Sequence, residues 1–196
     1  MSTKPILFNT EMVKAILEGR KTVTRRIIKR DLLLCCDFDT DGTICGCLDK
    51  DGDWYEIEDF APYKIADILY VRETWRYSKF HGNKQGYMYR ASCNENWDGF
   101  WKPSLYMPKE AARIWLKVTN VRVERLQDIT PKQAGEEGVT WETDNSGMYR
   151  RMRFKQLWDS TIKKQDLDKY GWDANPYVWV IEFERIEISM FEGERA

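Results

Sequence analysis

A single histidine, His81, serves the whole of this 196-residue chain, and that scarcity removes a good deal of chemistry. Histidine-rich metal sets are unavailable, and a nucleophile triad built on an imidazole would have to rest on the polar stretch 79–84. Glycine-rich phosphate loops of either familiar spacing are missing, as is the His-x-Glu and Pro-Cys-x-x-Cys pairing of zinc deaminases. No apolar run approaches the roughly 20 residues of a membrane helix, and the opening Met-Ser-Thr-Lys-Pro lacks the apolar stretch of a signal peptide, so a cytoplasmic protein is expected. Five cysteines, an odd number in a chain large enough to bury a core, read as reduced thiols. Charge of one sign is lacking too: 31 basic against 32 acidic residues leave a net charge of -1. Any attraction to phosphates must therefore come from local clustering.

Two metal-like patterns fail on their details. Asp37-Phe38-Asp39-Thr40-Asp41-Gly42 imitates the start of an EF-hand loop, but Leu48 stands where the bidentate glutamate belongs, and the flanks read as strands. Cys35-Cys36 and Cys45-x-Cys47 lack the usual zinc spacing, and adjacent cysteines on a strand point to opposite faces. No metal and no cofactor are expected.

What is present reads as a single α+β domain of strands interrupted by short helices. Met12, Val13, Ile16 and Leu17 recur at helical spacing, with Thr10 as the expected cap and Gly19 as the stop. Segments 32–36 and 43–48 form an expected hairpin through Asp41-Gly42, extended by a strand at 54–57 into a small meander. Strands follow at 68–71, 116–123 and 178–183. Thr130 caps a short helix that begins on Pro131 and ends at Gly138. A further helix over 154–162 places Phe154, Leu157, Trp158 and Ile162 on one side.

Directly after the first helix comes Gly19-Arg20-Lys21-Thr22-Val23-Thr24-Arg25-Arg26. Alternation puts Thr22 and Thr24 on one face of an extended segment, with Lys21, Val23 and Arg25 on the other. Taken alone, the cations could simply complement a helix carbonyl end. The pattern Gly-x-Lys-Thr-x-Thr-x-Arg, however, resembles the signature of ASCH domains, small PUA-like barrels related to RNA-binding folds. Further stretches resemble that family's phage and prophage branch: Pro5-Ile6-Leu7-Phe8, Asp67-Ile68-Leu69-Tyr70-Val71-Arg72-Glu73-Thr74-Trp75, Trp101-Lys102-Pro103-Ser104-Leu105-Tyr106-Met107-Pro108, Leu126-Gln127-Asp128-Ile129-Thr130 and Asn175-Pro176-Tyr177-Val178-Trp179-Val180. They span most of the chain, leaving about 31–60 and 77–100 as insertions. One departure is Ala66-Asp67, where the family prefers Gly-Asp.

The resemblance implies a small barrel with short helices, a β-hairpin insertion, and a cleft lined by the basic turn that recognises RNA or a modified nucleobase. Bacterial relatives that hydrolyse the acetamide of N4-acetylcytidine imply catalytic roles for Lys21, Thr24 and Glu137, with Glu136 one residue away in the alignment. Threonine needs a base to become a nucleophile, and a lysine serves as one only when burial or neighbouring cations lower its pKa. Arg20, Thr22, Arg25, Arg26, Arg72, Glu73 and Trp75 are the expected binding residues. Trp75 could stack on a base, with Trp101, Tyr106 and Trp172 as further stacking candidates, while Arg72 and Glu73 could equally be a structural ion pair. Rival readings are a non-catalytic RNA-binding module, a single-stranded RNA ribonuclease, and a phage protein that binds a host partner.

Overall fold

A computed structural model of the chain describes residues 2–28, 33–36, 44–48, 51–79, 85–93, 99–140 and 148–187. Its centre is a five-stranded mixed sheet in the order β1 (Thr3–Leu7), β6 (Ile68–Arg72), β9 (Trp115–Arg125), β10 (Tyr177–Ile186), β2 (Val23–Ile27). The β1–β6 pair is parallel and the other three pairs are antiparallel. Pro5 is tolerated because β1 is an edge and has a partner on one side only. The expected barrel does not close: among the described residues no pairing joins the edges β1 and β2.

β10 explains how the sheet is packed. Val178 and Val180 enter one apolar cluster with Val23, Leu126, Phe154 and Trp158, while Trp179, Ile181 and Phe183 enter another with Ile6, Phe8, Val71 and Leu116. A strand buried on both faces reads as a continuous apolar run, which is why 178–183 is so hydrophobic. Burying each such side chain contributes about 1.5–3 kcal/mol. The first cluster is roofed by α2 (Pro131–Glu136) and α3 (Met148–Thr161), which lie with the short α4 (Leu167–Tyr170) on the crossover from β9 to β10.

The described residues within 31–60 form a meander of β3 (Leu33–Cys36), β4 (Ile44–Leu48) and β5 (Trp54–Glu56), followed by a 3-10 turn at Ile57–Phe60. Ile44, Cys47 and Ile57 belong to the same buried cluster as Trp179, so the meander covers the second sheet face. Its Asp41-Gly42 turn, the acidic run 37–42 and His81 lie outside the described residues. Among the described residues no group of side chains could hold a metal ion, and no helix is long and apolar enough to cross a membrane.

One reading from pattern is corrected. The cap of α1 (Thr10–Leu17) is Asn9, whose side chain accepts from the Met12 amide at 2.9 Å, and Thr10 is the first helical residue. A hairpin that pattern did not mark, β7 (Trp75–Lys79) with β8 (Gln85–Tyr89), flanks the polar stretch read as a loop, of which 80–84 lie outside the described residues.

Candidate functional site

The basic turn is folded by its two neighbouring helix ends. Gly19 takes φ +73°, and the amides of Arg20 and Lys21 both donate to the Ala15 carbonyl, at 2.9 and 3.1 Å, so the chain doubles back beneath α1. Thr22 then donates to the Glu136 carbonyl at 2.9 Å, which fixes the turn against the end of α2. That helix is set by a capping box between Thr130 and Gln133 and stopped by Gly138 at φ +91°. Arg20 donates to the Gly138 carbonyl at 2.9 Å and Lys21 to the Glu137 carbonyl at 2.9 Å. The cations complement a helix carbonyl end, as the simplest account of the turn supposes, but that of α2.

The Lys21 side chain is fully buried, and Nζ donates to Glu137 Oε2 at 2.7 Å, to the Glu137 carbonyl, and to the Val23 carbonyl at 2.8 Å. Three acceptors match the three N–H groups of an ammonium. Burial pushes the Lys21 pKa down, against the pull of Glu137 and with a smaller push from Arg26 and Arg25.

Glu137 Oε1 accepts from Arg25 Nη1 at 3.2 Å, and Arg25 Nη2 reaches Glu124 Oε2 at 3.1 Å and Gln133 Oε1 at 3.4 Å. The Arg25 side chain has no exposed surface. Glu124 and Glu182 both engage Arg122. Six side chains of alternating sign thus run from the half-buried Glu182 on β10 to the buried Lys21. Of the basic-turn residues expected to meet a ligand, Arg25 is spent inside this chain, while Thr22 is exposed.

Thr24 and Arg26 face the other way. They pair with Ile181 and Trp179 in β10, on the side of Phe8. Arg26 donates to the Leu7 carbonyl at 2.9 Å, and its guanidinium lies 5.3 Å from the Phe8 ring centre; Lys21 Nζ lies 5.5 Å from the same centre. Thr24 is buried, with 2% of its surface exposed.

Glu73 and Trp75 are not brought to this cluster. Glu73 is buried and held by both Nε and Nη2 of Arg113, at 2.9 and 3.0 Å, and Trp75 packs with Met107 and Ala111. Arg72 donates to the Leu105 carbonyl at 3.2 Å. Glu136 lies beside a cleft of about 460 Å³ lined also by Thr22, Val23, Gln133 and Thr130. A second cleft of about 350 Å³ lies between the meander and the sheet, over Val121 and Trp179. Neither is lined by Lys21, Thr24 or Glu137. The residues that pattern missed are Glu124, Gln133 and Phe8; the capping-box spacing of Gln133 was the one available signal.

No protein-family model matches the sequence, and no curated protein matches it. A solved structure, the ASCH domain from Lactobacillus crispatus JV V101, resembles the chain over 94% of its length and 79% of that domain's, with 13% identity and a TM-score of 0.43. A likeness of that degree carries no conclusion about activity.

Proposed function

We propose that this chain recognises RNA or a modified nucleobase around the turn 19–26. The observation that carries the reading is the convergence on one sheet face of the buried Thr24, the Arg26 guanidinium and the Phe8 ring. A planar base offers both the polar edge that Thr24 and Arg26 would read and the face that an aromatic ring accepts. The signature resembling that of ASCH domains points to the same ligand class.

A sharper version, hydrolysis of the N4-acetyl amide of acetylcytidine, is favoured by the buried lysine. Thr24 Oγ would attack the acetyl carbon and its proton would pass to the departing cytosine nitrogen, with Lys21 able to carry it only once Nζ has given up its own proton and released one of its three acceptors. The cytosine amine leaves with that proton, and water then releases acetate from the acyl-threonine. Both Glu137 oxygens engage cations, so the role that fits Glu137 is to hold Lys21 in place.

Isothermal titration of cytidine and N4-acetylcytidine, followed by chromatography of the mixture, tests both versions. Wild type binds and releases cytidine, whereas Thr24→Val, an isosteric change, loses both with unfolding stability within about 0.5 kcal/mol of wild type. Binding with unchanged N4-acetylcytidine removes the hydrolase and keeps the recognition site. Failure to bind either nucleoside removes both. Shortened single-stranded RNA with wild type but not with Lys21→Met would replace them with ribonuclease activity.

A further inference from the structure

Segment 100–109 carries side chains that nothing in the fold consumes. Phe100 is 81% exposed, Tyr106 68% and Leu105 57%. Their backbone is nonetheless pinned. Lys102 exchanges both backbone hydrogen bonds with Trp75, at 2.8 and 3.2 Å, the Leu105 carbonyl accepts from Arg72, and Met107 is wholly buried between two 3-10 turns. The rings are therefore presented by an ordered support.

Cations are interleaved with them. Lys102 Nζ lies 5.0 Å from the Trp75 ring centre, and Arg72 and Lys109 share the Tyr70 ring at 5.8 and 5.9 Å. Arg72 faces Leu7 across the β1–β6 pair, and the Leu7 carbonyl is the one that holds Arg26. A row of four cations thus leads from the rim of the Thr24 site along the segment. None of Arg26, Arg72, Lys102 and Lys109 pairs with a carboxylate among the described residues. The acids nearby in the described sequence are Glu73, buried and neutralised by Arg113, and the exposed Glu110. On a chain of net charge -1 such a local excess is notable.

We propose that this strip binds single-stranded nucleic acid, with bases stacked on Phe100 and Tyr106 and phosphates held by Arg72, Lys102 and Lys109. Rings set apart among cations match the stacking-and-charge pattern of single-strand grooves, whereas a protein partner calls for a continuous apolar patch. The direction of the strand, toward Arg26, rests on the reading of the turn as a nucleobase site; the strip itself does not. The strip extends recognition from a base to the strand that carries it.

The test is fluorescence anisotropy with a labelled single-stranded RNA of about 12 nucleotides, well within single-strand site sizes. The variants are Phe100→Ala/Tyr106→Ala and Lys102→Gln/Lys109→Gln, all at exposed positions, with circular dichroism confirming that each stays folded. The aromatic pair is expected to weaken binding roughly tenfold or more, from the loss of two stacking surfaces. The lysine pair is expected to flatten the slope of log affinity against log salt by about 1.4. Absence of binding at low salt, equal affinity of the aromatic variant, or preference for duplex overturns the proposal. So does a concentration-dependent dimer that the aromatic variant abolishes, which would assign the strip to self-association. RNA binding lost in the aromatic variant while cytidine still binds supports the strip and leaves the Thr24 site intact; loss of cytidine binding alone, in Thr24→Val, leaves the strip intact.

Discussion

Replacing Glu137 by glutamine should be among the costliest single-atom changes this protein can suffer. The carboxylate sits between Lys21 at 2.7 Å and Arg25 at 3.2 Å, and the three side chains are 3%, 0% and 0% exposed. At an effective dielectric near 20 each contact carries about 5–6 kcal/mol of attraction, set against desolvation that folding has already imposed on all three groups. Glutamine keeps the shape but removes the charge, leaving two buried cations, and its amide N–H must point at one of them. The expected loss is about 3–5 kcal/mol, the range for breaking a buried pair from one side.

Lys21→Met should cost less, about 2–4 kcal/mol, because Glu137 keeps Arg25 and the loss falls on the Val23 and Glu137 carbonyls that each lose a donor. The double variant should cost at least about 2 kcal/mol less than the sum of the singles. Urea unfolding followed by tryptophan fluorescence reads all three, and a domain of this size has a stability of about 5–15 kcal/mol in which to read them. A Glu137→Gln cost below about 1 kcal/mol, or singles that add within about 0.5 kcal/mol, would refute the reasoning: it would mean that Lys21 is neutral at rest or that the three groups do not act as one charged unit.

Three further substitutions test the frame around the site. Ala66 holds φ +68°, a left-handed conformation that costs a residue with a Cβ about 1–2 kcal/mol, so Ala66→Gly should stabilise by roughly 0.5–1 kcal/mol in the same urea assay once the added chain entropy of glycine is subtracted. Gly138→Ala should destabilise by about 2–4 kcal/mol, because φ +91° is strained for alanine and the new Cβ would meet Ala15 Cβ at 2.7 Å and Lys21 Cβ at 3.3 Å. For Asp67, burial pushes the carboxyl up, but hydrogen bonds from Lys4, the Lys64 amide and Ser2 outweigh it and hold the group well below its usual range. A depressed carboxyl stabilises the fold above its unfolded pKa of about 3.9 and loses that contribution as pH falls, so Asp67→Asn should cost about 1–2 kcal/mol at pH 7 and progressively less below pH 4, read by thermal unfolding against pH.

How much of this was legible in the sequence depended on whether the deciding contact was local. β9 and the helix at 131–136 were readable because alternation and a Thr130-Pro131 start are written in consecutive residues. Asn9 and Thr10 are both capping residues, and only the backbone turn chooses between them. The β7–β8 hairpin was not legible because its strands carry no clean alternation of apolar and polar residues and Tyr77 lies half exposed. Open closure of the sheet could not be read, since it depends on whether two distant edges meet. Arg25 shows the limit most clearly. Within a basic block it reads as a surface cation, and its burial follows from Glu124, Gln133 and Glu137, all about 100 residues away in sequence.

That burial also sorts the turn by what each residue can offer a ligand. Lys21 has every N–H bonded, Arg25 is enclosed, and Glu137 has both oxygens committed, so none can meet a ligand without breaking a contact worth several kcal/mol. Packed apolar side chains would hold the ends of α1 and α2 together at least as well, so stability alone does not account for a buried lysine, arginine and glutamate in one place. What the ions supply that apolar groups would not is direction: they fix the backbone at Val23 and Glu137, and with it the start of the strand on which Thr24 and Arg26 alternate to the opposite face. If the turn is the proposed nucleobase site, recognition falls to the Thr24 hydroxyl and the Arg26 guanidinium beside Phe8, and chemistry at Lys21 requires that it first give up a proton, which is the direction in which burial drives it.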